Sequence, residues 1–83
     1  MTATDLEQKM TYLRRLLSVY VKFLKYYQQA DVTVEGNEIT VLYHNAKNNG
    51  YKFQSIAFPL DDIDKRIEHY RQKVRTAFKN RSN

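Results

Sequence analysis

Residues 32–41, VTVEGNEITV, decide the fold. Two runs alternate apolar and polar residues with period two, the mark of half-buried strands. Between them stands Gly36-Asn37, a two-residue turn signal that suits an antiparallel hairpin. In that register Val34 faces Ile39 and Val32 faces Val41, so the apolar side chains share one face. Glu35 then stands opposite Glu38, a like-charge pair that is mildly unfavourable and that a slightly longer loop would relieve.

A hairpin with one apolar face needs something to cover it, and the flanking segments supply it. Downstream, 45–50 reads as a second turn and 51–58 as a third strand ended by Pro59. Its alternation slips, with Tyr51 and Phe53 in one phase and Ile56 and Phe58 in the other; a bulge near Gln54-Ser55 would reconcile them. Upstream, Leu6, Met10, Leu13, Leu17, Tyr20, Leu24 and Tyr27 repeat at alternating spacings of four and three, an amphipathic helix. Thr4 and Glu7 read as its capping box, and nothing breaks it before Ala30-Asp31. After the strands, Asp61 suits an N-cap, and Ile63, Ile67, Tyr70, Val74 and Ala77 carry a second helix. The expected fold is α+β in the order α-β-β-β-α, a three-stranded antiparallel meander packed against a long N-terminal helix and a C-terminal helix. The expected core is Leu13, Leu17, Tyr20, Leu24, Val34, Ile39, Val41, Phe53, Ile63, Ile67, Tyr70 and Val74.

Eighty-three residues make a single domain, 1–83, with a short basic tail at about 79–83. A chain of this size has a thin core. It has no cysteine, so no disulfide and no cysteine-ligated metal, which suits a reducing, cytoplasmic setting. The opening MTATDLEQK lacks an apolar signal core, and the longest uncharged runs of eight residues are too short to span a bilayer.

The net charge of +5 is unevenly spread. Residues 8–30 hold Lys9, Arg14, Arg15, Lys22 and Lys25 and no acid; residues 69–83 hold Arg71, Lys73, Arg75, Lys79 and Arg81 and no acid. The stretch between them is net acidic. Two basic segments around an acidic middle favour an anionic partner. On the first helix Arg14, Arg15, Lys22 and Lys25 share one face, beside Tyr12, Val19 and Tyr26. Cations beside rings can neutralise phosphates while the rings stack.

The apolar arc of that helix is also wide, about 200° where a surface helix needs about 100°. Tyr12, Leu16, Val19, Phe23 and Tyr26 form an extra ridge. A helix of about 24 residues would run about 36 Å, beyond strands of about 20–27 Å. The excess is expected to meet the second helix, or a second copy in a homodimer.

The α-β-β-β-α order resembles the double-stranded-RNA-binding domain in topology. That family grips phosphate with a glycine and a lysine pair at the start of its last helix. This chain has Pro59-Leu60-Asp61-Asp62-Ile63-Asp64 there, and the acids would repel phosphate. Asn49-Gly50-Tyr51-Lys52-Phe53 is similar to part of the first RNA-contacting motif of the RRM, with Asn49 and Lys52 departing from it. Tyr43 and Tyr51 on neighbouring strands could stack a base. Asp61, Asp62 and Asp64 are explained by capping, and His44 and His69 have no zinc-ligand spacing. Ser18, Ser55 and Ser82 lie in no nucleophile motif.

The expectation is a small nucleic-acid-binding accessory protein that grips DNA or RNA mainly by the backbone, as a homodimer. Its phosphate contacts would be Arg14, Arg15, Lys22, Lys25, Lys73, Arg75, Lys79 and Arg81. The alternative is a phage- or plasmid-type adaptor or inhibitor that binds a protein partner, an acidic one included, through Tyr12, Leu16, Val19, Phe23 and Tyr26. Neither reading calls for catalysis, a metal, a cofactor, a small-molecule substrate or a membrane.

Overall fold

The computed structural model describes residues 2–45 and 52–81. The elements are α1 (Ala3–Tyr20) with a 3-10 turn at Val21–Phe23, β1 (Gln29–Glu35), β2 (Glu38–Asn45), β3 (Lys52–Pro59), a 3-10 turn at Leu60–Asp62, and α2 (Ile63–Arg81). The sheet is an antiparallel meander in the order β1-β2-β3. The fold is therefore the expected α+β arrangement. Among the described residues no helix is long and apolar enough to cross a membrane.

The hairpin has the two-residue turn and register its sequence implies, with Val34 opposite Ile39, Val32 opposite Val41, and Glu35 opposite Glu38. Gly36 sits at φ 61°, a left-handed conformation that glycine adopts without strain. Val32, Ile39, Val41, Tyr43 and Phe58 on one sheet face are buried against Met10, Leu13, Leu17 and Val21 from the first helical segment and Ile63 and Tyr70 from α2. Both helices thus cover one face of the sheet. Asp31, Thr33, Ser55 and Ala57 on the other face are exposed.

Several expectations need correction. The α-helix stops at Tyr20, and Leu24 is already extended (φ −87°, ψ 138°) although no glycine or proline intervenes. Its 18 residues span about 27 Å, which matches strands of seven and eight residues at about 23–27 Å. The N-cap is Thr2, whose hydroxyl accepts from the Asp5 N–H at 3.1 Å, and not Thr4. Asp61 lies inside the 3-10 turn entered from Pro59, which has no capping side chain.

β3 pairs one-to-one with β2 from Lys52 to Pro59, without the bulge expected near Gln54-Ser55. An unbroken period of two puts Phe53 on the open face opposite His44, 62% exposed, and out of the core. Val34 faces inward but is 41% exposed, at the turn end of edge strand β1. Leu24, Tyr20, Ile67 and Val74 are half-buried. Met10, Val21, Val32, Tyr43 and Phe58 complete the core instead. The 46–51 segment, with Tyr51 and most of the RRM-like stretch, lies outside the described residues. Tyr43 faces inward, so it offers no stacking surface on the open sheet face.

Candidate nucleic-acid interface

Contacts between the helices follow the same order along both. Lys9 Nζ lies 2.9 Å from Asp64, the Tyr20 and Tyr70 rings are 6.1 Å apart, and those of Phe23 and Phe78 are 5.1 Å apart. The helices are therefore parallel, as three antiparallel strands between them require. Their C-terminal halves lie at one pole and their N-termini at the other.

This places the cations. Lys22 precedes Phe23 and Lys79 follows Phe78, so the ring contact brings the two lysines to the same pole. Lys25 is just beyond, its ammonium 5.5 Å from the centre of the Tyr26 ring. Lys73 and Arg75 are exposed on the same half of α2. Arg81 closes α2, so the segment expected as a basic tail is helical to that point; its side chain lies outside the description. Arg14 and Arg15 lie apart from this group, midway along α1. Arg14 donates to the Val32 carbonyl of β1 at 3.3 Å, and Arg15 is exposed beside Tyr12.

The acids gather at the opposite pole. Asp5 and Glu7 open α1, Glu35 and Glu38 flank the hairpin turn, and Asp61, Asp62 and Asp64 open the second helical segment. The Leu60 N–H donates to the Asn37 carbonyl at 2.7 Å and joins the last two groups. Of the nine acids only Asp31 and Glu68 lie elsewhere. Each helix thus carries acids at its positive end, with Lys9, Lys65 and Arg66 among them, and α2 carries bases toward its negative end. The poles are a helix length apart, about 27 Å, or about three screening lengths at physiological salt. The acidic pole therefore does little to neutralise the basic one.

The remaining ridge is divided. Leu16, Val19 and Phe23 are half-buried, with Phe23 packed on Phe78 of α2. Tyr12 is 43% exposed, and Tyr26, 54% exposed, lies beyond the helix end. α2 therefore takes up much of the arc that called for a second copy. On the open sheet face His44 Nε2 lies 2.7 Å from Asp31. Among the described residues no group of three or more His, Asp or Glu side chains could hold a metal ion.

Sequence reading missed a cluster beneath α2. Tyr43 packs on Tyr20 at 6.5 Å and on Tyr27 at 6.0 Å, and Tyr70 packs on Tyr20 at 6.1 Å. Burial, with Tyr70 beside it, pushes the Tyr43 phenol well above its ordinary range, so it stays protonated. Two adjoining cavities share Tyr20 and His69. One, about 390 Å³, runs along α2 past Lys73; the other, about 210 Å³, lies over Tyr27, Tyr43 and Tyr70, with Gln54 and Arg66 in its lining. The only signal in the sequence is compositional, seven tyrosines and no tryptophan.

No family model, curated protein or solved structure matches this chain. Any functional reading rests on its own residues.

Proposed function

We propose that this is a small cytoplasmic protein that binds nucleic acid through its basic pole, mainly by backbone contacts. The observation that carries this reading is the parallel helix pair, which brings two basic segments far apart in sequence to one pole while most of the acids collect at the other. Lys22, Lys25, Lys73, Arg75 and Lys79 would supply the phosphate contacts, with Arg81 extending them. Arg14 contributes less, because its guanidinium is engaged on β1. One protomer carries the whole pole, so the reading does not depend on a dimer. A protein-docking role for the Tyr12–Tyr26 ridge has less support, since α2 divides that ridge.

The test is binding of duplex DNA, single-stranded DNA and duplex RNA by the wild type and by the double variant Lys22→Glu/Lys79→Glu. The variant should bind all sequences more weakly to a similar degree and lower the salt slope by about 2. Glu38→Lys, at the opposite pole, should leave affinity within a few-fold, because it lies about three screening lengths away. Unchanged binding by the double variant would reject the reading.

A further inference from the structure

We infer that the tyrosine-lined cavity beneath α2 receives one unstacked base of a strand whose phosphates lie on the basic pole. The inference rests on the nucleic-acid reading above and adds what the strand must be, single-stranded at that position.

The cavity floor is apolar in effect. Tyr43 and Tyr70 are buried, and their rings line the cavity. Tyr20 and Tyr27 are only half-buried and form walls that a planar ring can reach. At the mouth the chemistry changes. Gln54 is exposed, and its amide carries both donors and an acceptor, the combination that pairs with a base edge. The Arg66 guanidinium is held 5.1 Å from the centre of the Phe58 ring. Lys73 and His69 line the adjoining cavity that runs along the C-terminal half of α2. Rings at the bottom, an amide at the edge and cations outside match a base, its edge and its phosphate. An aliphatic ligand would leave Gln54 without a role, and a paired base cannot leave its duplex without losing its stack.

The experiment compares a labelled single strand of about ten nucleotides, within the usual site size, with an abasic strand of the same length and charge. Anisotropy titrations at one salt concentration should show the base-bearing strand binding about tenfold tighter. Tyr27→Leu and Gln54→Ala should each bring that affinity toward the abasic value and leave abasic binding unchanged. Thermal melting checks the fold of the Tyr27 variant, and the exposed Gln54 keeps the test open if that variant unfolds. Equal binding of the two strands would overturn the cavity assignment and leave the basic-pole reading standing. Failure of both strands and of duplex to bind would overturn both. A free nucleoside monophosphate that binds more tightly than the strand would overturn the assignment to a strand.

Discussion

Thr2 and Thr4 are two residues apart, and only one of them caps. Both precede an acidic residue and an apolar run, and local sequence favours Thr4 with its capping box. The helix instead begins at Ala3, and Thr2 Oγ1 accepts from the Asp5 N–H. Thr2→Ala should cost about 1 kcal/mol, and Thr4→Ala a few tenths at most, read from denaturant midpoints. A larger loss from Thr4→Ala would return the cap to the sequence-based position. Tyr43 gives a second prediction, this time in pH. Its phenol is raised by burial first and by the neighbouring Tyr70 second. In the unfolded chain it loses its proton near pH 10, while in the folded chain it keeps it. Above about pH 10 the unfolded state therefore binds fewer protons, and stability falls as pH rises. Tyr43→Phe should flatten the decline above pH 10, read as unfolding midpoints between about pH 8 and pH 11. An equal alkaline slope in both proteins would contradict this placement of Tyr43.

The hairpin was legible at the level of elements because its signals are local. Period two, the Gly36-Asn37 turn and the shared apolar face need no knowledge of the rest of the chain, and the observed register agrees residue by residue. The Glu35–Glu38 pair is also real. Glu38→Lys should stabilise by about 0.2–1 kcal/mol, since it turns a cross-strand repulsion into an attraction. Gly36→Ala should destabilise by about 1 kcal/mol: a Cβ there meets no atom within 4 Å, so the loss is conformational and not steric. Thermal melts of the two variants should move in opposite directions. The helix end and the third strand were less legible. Leu24 and Tyr27 fit the helical spacing, yet the chain is already extended at Leu24, where no local breaker marks the change. Phe53 looks like a core residue until its partner is known to be His44 on the open face.

The whole molecule is a charge dipole built by topology. The two basic runs can be read directly from the sequence, but their meeting at one pole depends on the helices being parallel. Three strands between two helices imply that geometry, so this part of the site could be deduced once the element order is in place. The tyrosine cavity could not. Tyr20 and Tyr70 repeat with their helices' apolar faces and Tyr43 with its strand, so each is indistinguishable from a core residue until the three rings and Tyr27 meet. The basic pole remains the central claim, and its most direct test is the salt dependence of duplex-DNA binding by the wild-type protein. Five phosphate contacts predict micromolar binding at about 50 mM salt and a log–log slope between about −4 and −5 up to about 200 mM. A slope near zero, or no binding at the lowest salt, would contradict the claim.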